Sequence, residues 1–172
     1  MSRNSKIILG VTGGVLLLII LWFFSTGNSM LRREQEIKSL WRKVEEQYQN
    51  RLDLYAELRE KASKIADFEK STLKDVIAMR SDAAHQSVDE NNLSPDNIQQ
   101  FQQAQNAYKS AINLVFEQYP QLLTPQQFLA FQDIQDGMES PINKVRTDFN
   151  DAVQDYNSYI LTFPSSIVAS MK

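Results

Sequence analysis

Residues 31–65, LRREQEIKSLWRKVEEQYQNRLDLYAELREKASKI, decide the fold. Ile37, Leu40, Val44, Tyr48, Leu52, Tyr55, Leu58, Ala62 and Ile65 recur at steps of three or four, and neither Pro nor Gly interrupts them. That spacing gathers the apolar side chains on one stripe of an α-helix. A strand would need alternation with period two, which is absent. The stripe resumes in Leu73, Val76, Ile77, Ala83 and Ala84, so the element is expected to run for more than about fifty residues, far beyond an average globular helix. Such a length predicts a long hairpin or a coiled coil.

Downstream, the punctuation is local and readable. Asp89–Ser94 (DENNLS) is the first clear break, and Ser94-Pro95 supplies a cap residue followed by proline at the first helical position. The helix begun there has Ile98, Phe101, Gln105, Tyr108, Ile112, Val115 and Tyr119 on its buried face, with the amide-rich stretch Gln99–Asn106 mostly facing solvent. Tyr119-Pro120 ends it, because a residue before proline avoids the helical region. Thr124-Pro125-Gln126-Gln127 reads as a capping box that starts a third helix. Its face is Phe128, Phe131, Met138, Ile142, Val145, Phe149, Ala152, Tyr156, Tyr159 and Phe163, with a kink expected near Ser140, between Gly137 and Pro141. Phe163-Pro164 ends the element. The expectation is an all-α protein: an antiparallel bundle of three main helices, one very long.

Upstream, Ile7–Phe24 (IILGVTGGVLLLIILWFF) carries no charge. At about 1.5 Å per helical residue it extends roughly 27 Å, close to the hydrocarbon thickness of a bilayer. The run ends in Trp22, Phe23 and Phe24, bulky aromatics suited to the membrane interface and unlike the small residues of a signal-peptidase site. The segment is therefore expected to be an uncleaved transmembrane helix, and with no cysteine in the chain there is no thiol for a lipoprotein anchor. The organisation expected is a tail at 1–6, the span at 7–24, a linker at 25–30, the bundle at 31–164 and a C-terminal tail at 165–172. That last tail is too short and weakly apolar to cross a bilayer.

Of 18 Lys and Arg, Arg3 and Lys6 lie before the span, leaving 16 against 21 Asp and Glu beyond it, a charge of about −5 on the soluble part. An acidic domain argues against nucleic-acid binding, which depends on neutralising phosphates. The basic residues Arg3 and Lys6 favour a cytoplasmic tail and an extracytoplasmic domain, although Arg32, Arg33, Lys38, Arg42 and Lys43 weigh the other way.

No catalytic, cofactor or metal site is expected. The single His85 has no second His or Cys to work with, and no phosphate-cradling glycine loop, GK[ST] or HExxH is present. Asp148, Asp151 and Asp155 share a helical face, but a solvated row is the expected reading because the Glu-x-x-His pairs of di-iron bundles are missing. Two groups stand out instead. Gly10, Gly13 and Gly14 would let neighbouring membrane helices approach closely, Gly10-x-x-x-Gly14 being a dimerisation pattern. Arg51 and Asp53 could meet Tyr156, Asn157 and Tyr159 in a polar layer that sets the helix register, if the long and third helices are antiparallel; alternatively the two tyrosines pack in the core with hydroxyls reaching solvent.

The sequence resembles the LemA family of bacterial membrane proteins. The resemblance lies in Trp41-x-x-Val44-x-x-Gln47-Tyr48-x-x-Arg51-x-Asp53-Leu54, Tyr119-Pro120-x-Leu122, Gln132-Asp133, Gly137, Arg146-x-Asp148-Phe149-Asn150-x-Ala152-Val153-x-Asp155-Tyr156-Asn157-x-Tyr159 and Phe163-Pro164-Ser165. It implies a single-pass protein of the bacterial cytoplasmic membrane with a long-helix bundle, a fold and a membrane setting more than a reaction, the family having no established enzymatic activity. The chain departs from the family in Tyr55-Ala56-Glu57-Leu58, where Ile-Pro-Asn-Leu is usual, in Pro141, and in the short end after Phe163-Pro164. The function expected is a non-enzymatic scaffold or adaptor of the envelope. Its partners would be the lipid bilayer, further copies of itself in a homo-oligomer and an envelope protein, with no nucleic acid and no small-molecule substrate. The alternative is an extracytoplasmic sensor that signals through a separate membrane partner.

Overall fold

The computed structural model describes residues 3–63, 70–120 and 124–171, with their side chains except at 57–63 and 70–75. Among the described residues there are five α-helices and no strand: α1 Arg3–Ser63, α2 Lys70–His85, α3 Pro95–Gln118, α4 Pro125–Leu161 and α5 Ser165–Ala169. Of the expected stripe, Ile65 lies outside the described residues, as does Leu122, and Leu58, Ala62 and Leu73 are described by their backbone alone. The chain divides into two compact units, Leu40–Asp148 and Met1–Ser39 with Phe149–Lys172.

The unit Leu40–Asp148 is an up-down-up-down helix bundle, so the long element read from sequence takes the hairpin form and the bundle has four helices instead of three. α2 runs against α1, because Arg80 pairs with Asp53 at 3.6 Å while Val88, just beyond the C-terminal end of α2, donates to Glu45, about two turns earlier on α1, at 3.3 Å. α3 runs with α1: Trp41 and Tyr48 pack edge-on against Phe101, with ring centroids 5.4 and 5.1 Å apart, and Tyr55 packs on Tyr108 at 5.7 Å. α4 runs against both, placing Phe131 on Phe116 at 4.7 Å and on Tyr55 at 6.1 Å. Leu52, Val76, Ala83, Ile112 and Val115 fill the space between these rings. Such aromatic pairs each contribute about 0.5–1.5 kcal/mol beyond the burial of their area.

The caps act as their sequences imply. Ser94 Oγ accepts from the amide of Asn97 at 3.2 Å, and Pro95 opens α3. Thr124 and Gln127 satisfy each other reciprocally, the Thr124 amide donating to Gln127 Oε1 at 2.9 Å and the Gln127 amide to Thr124 Oγ1 at 3.3 Å. α4 continues through Gly137 and Pro141 without ending. Two residues expected on the inner face of the third helix are instead exposed, Phe128 at 37% and Phe163, just past the end of α4, at 76%.

In the other unit, the segment 25–30, expected as a linker, is part of α1 and buries Thr26 and Met30. The segment 165–172, expected as a C-terminal tail, contains α5. That short helix buries Ser165 and Val168, and the Ser165 hydroxyl lies 2.8 Å from the carbonyl of Thr162, facing that of Tyr159 as well.

Candidate functional site

The apolar run occupies the first third of α1. The helix contains a window of mean hydropathy 2.7, none of it buried, and is long and apolar enough to cross a membrane. Leu9, Leu16, Leu18 and Ile20 expose half or more of their surface, which in water would be costly and in hydrocarbon is the stable arrangement. Gly10, Gly13 and Gly14 leave open space where a Cβ would stand, so the backbone is bare on that part of the helix. At the end of the run Trp22 is half-buried, while Phe23 and Phe24 are exposed and meet edge to face at 6.1 Å. Immediately beyond, α5 closes one side of an apolar groove of about 250 Å³ lined by Phe23, Phe24, Gly27, Met30, Val168 and Met171.

The polar layer proposed from sequence does not form as one group. Arg51 and Asp53 belong to the unit Leu40–Asp148, and Tyr156, Asn157 and Tyr159 to the other. The physical reason is register. The residue of α4 that faces Arg51 is Glu139, about five helical turns before Tyr156. Periodicity fixes which face of a helix is buried, but it does not fix how far one helix slides along another.

Around Arg51 the bundle builds a buried cationic centre. The side chain is only 3% exposed; Nη2 donates to the carbonyl of Gln105 at 3.1 Å, Nη1 lies 3.5 Å from Glu139 Oε1, and the guanidinium sits 4.7 Å from the centre of the Tyr48 ring. Glu139 also receives the ammonium of Lys109, so one carboxylate ties α1 and α3 to α4. Gln105 in turn donates to the carbonyl of Ala83 at 3.0 Å, adding α2. One turn along, Gln135 bridges the Tyr55 hydroxyl at 2.9 Å and Asn113 at 2.8 Å. Burial pushes the Tyr55 phenol up from its ordinary value, partly offset by the Gln135 hydrogen bond and the Arg51 charge. A planar, permanently charged fork suits this crossing of several helices in a way a lysine would not. Asp53 stands apart on the surface, accepting from Gln49 at 3.0 Å and facing Arg80.

In the other unit the tyrosines meet the middle of α1, at its first charged residues beyond the apolar run. Tyr156 donates its hydroxyl to Glu34 at 2.6 Å, and the Arg33 guanidinium lies 4.7 Å over the Tyr159 ring. Burial, then the hydrogen bond to Glu34, then that carboxylate's charge push the Tyr156 phenol up to about 12. Asn157 is exposed.

Asp148 is paired along its own helix with Lys144 at 3.0 Å, Asp151 and Asp155 are exposed, and among the described residues no group of three or more His, Cys, Asp or Glu is placed to hold a metal ion. His85 ends α2 within hydrogen-bond reach of Ser81. Sequence reasoning missed Glu139, Gln135 and Glu34, whose importance comes from long-range register, and it missed the seating of α5.

No match is found among the curated proteins. The family model of the LemA family matches residues 40–172, most of the chain and nearly all of it beyond the apolar run. With the helical bundle and the apolar N-terminal helix, that match places the chain in the LemA family.

Proposed function

We propose that this chain is a non-enzymatic, membrane-anchored helical scaffold or adaptor, acting by assembling with copies of itself or by holding an envelope protein at the cytoplasmic membrane, with the bundle on the extracytoplasmic side. The observation that carries the reading is where the buried polar chemistry goes. The Arg51 Nη1 and Nη2, the Glu139 carboxylate and the Nε2 amides of Gln105 and Gln135 join α1, α2, α3 and α4 to one another, which suits a rigid module better than a reacting centre. Membership of the LemA family and an apolar helix long enough to cross a bilayer support the membrane setting.

The bare backbone at Gly10, Gly13 and Gly14 supports association through the span, since small residues let membrane helices approach to van der Waals contact. The test is crosslinking in native membranes. The chain has no cysteine of its own, so one cysteine placed at Leu17, seven, four and three residues on from Gly10, Gly13 and Gly14, reports on that face. A disulfide-linked dimer that disappears when Gly10 and Gly14 are replaced by Leu is the expected result. Monomer alone under all oxidising conditions overturns association through the span.

A further inference from the structure

The end of α4 and the whole of α5 form a surface that the bundle does not explain. From Ser158 to Met171 the sequence SYILTFPSSIVASM contains no charged residue. α5 buries Val168 and Ser165, yet the segment leaves Leu161 at 78%, Phe163 at 76%, Met171 at 69% and Ile167 at 43% exposure. Four large apolar side chains on one short uncharged segment are more than scattered surface residues.

Their place along α1 says what covers them. Val168 and Met171 line the same groove as Phe23, Phe24 and Gly27, so α5 sits beside the last turn of the apolar run and the turn after it. Gly27 and Met30 lie about 4.5 and 9 Å along the helix from Phe24, and the interfacial layer on each side of the hydrocarbon is about 5–8 Å thick. On α1 the stretch from Ser25 to Leu31 is likewise uncharged. Two uncharged segments therefore stand at the same level, adjoining the span, with aromatic and aliphatic side chains turned outward as in an interfacial belt.

We infer that the turn 161–164 and α5 form a second membrane contact, a foot lying in the headgroup layer of the bilayer that α1 crosses, with Phe163 and Met171 reaching the acyl boundary. The inference rests on the reading of α1 as a membrane span. The foot would fix the rotation and tilt of α1 where it leaves the hydrocarbon, because a single helix alone leaves both free.

The test uses the full chain reconstituted in phospholipid vesicles, with single cysteines carrying an environment-sensitive fluorophore. Phe163→Cys and Met171→Cys probe the foot, Leu16→Cys the span and Asn106→Cys a solvent-exposed site on α3. All four positions are exposed, so the labels do not disturb the packing. Lipids brominated near the glycerol end are expected to extinguish most of the emission at 163 and 171 at every protein-to-lipid ratio, while aqueous iodide quenches only the label at 106. Iodide quenching at 163 and 171 equal to that at 106 overturns the foot. So does protection from iodide that grows with protein density without bromolipid quenching, which would assign the surface to a second copy. If acyl-chain bromines fail to quench the label at 16, the span itself is refuted; if they do while 163 and 171 behave as water-exposed, only the foot falls.

Discussion

Replacing Arg51 tests whether the bundle is held together at one crossing point. Arg51→Ala removes a charged donor at 3.1 Å from the Gln105 carbonyl, a cation 4.7 Å from the Tyr48 ring and the packing of a side chain only 3% exposed. A hydrogen bond from a charged group contributes about 1.5–3 kcal/mol and a desolvated cation–π contact up to about 2 kcal/mol. Against this, the mutant no longer keeps a cation out of water, and the partner carboxylate is not orphaned because Glu139 keeps Lys109 and is 32% exposed. The loss therefore falls at the low end of the range for breaking a buried pair, about 3 kcal/mol. Arg51→Met retains the stem and discards the charge, so it costs about 1 kcal/mol. Urea unfolding of the complete protein in mild detergent, followed by circular dichroism, reads both; with a slope of about 2 kcal/mol per molar, Arg51→Ala lowers the midpoint by about 1.5 M. A midpoint for Arg51→Ala within about 0.5 M of the unmodified protein would refute the reasoning, because it would mean that the buried cation holds nothing.

Three further expectations follow from the same geometry. Tyr156 holds its proton more tightly in the folded chain, pushed up to about 12, than in the unfolded one, near 10. Its contribution to stability is thus complete below about pH 10 and is lost as the pH rises through about 12, and Tyr156→Phe should flatten that part of the urea-midpoint curve; an unchanged slope speaks against the Glu34 contact. Gly137→Ala lies at an exposed position inside α4 where a Cβ meets nothing within 4 Å, and should stabilise the chain by about 0.5–1 kcal/mol in the same assay, a loss being the contrary result. Val168→Ala removes two buried methyl groups from the seat of α5 and should cost about 1.5 kcal/mol there, seen as faster amide exchange at 166–171; unchanged exchange would mean that α5 is not held by that side chain.

The helices and their caps were legible because their causes are local. Ser94-Pro95 and Thr124-Pro125-x-Gln127 contain both the cap and its partner within four residues, and Trp41 to Tyr55 expose their periodicity in any short window. What could not be read depends on residues far apart. Arg51 meets Glu139 and Tyr156 meets Glu34, pairings that require the relative slide of α1 and α4, on which a hydrophobic stripe is silent. The four-helix form of the bundle was equally hidden, since no Pro or Gly stands between Leu31 and Val88 to mark a reversal. α5 escaped for another reason. Five residues make little more than one turn, too few for a period of 3.6 to declare itself, and its seat on α1 involves Gly27 and Met30 in a segment that reads as a linker.

The central claim, a membrane-anchored module that works through association, is tested most directly by the mass of the complete protein extracted gently from its own membrane and measured by native mass spectrometry or light scattering. The account predicts a discrete species heavier than the 19.8 kDa chain, either a homo-oligomer of fixed number or a stoichiometric complex with one envelope protein. A single species at 19.8 kDa, unchanged across extraction conditions and concentration, would contradict it.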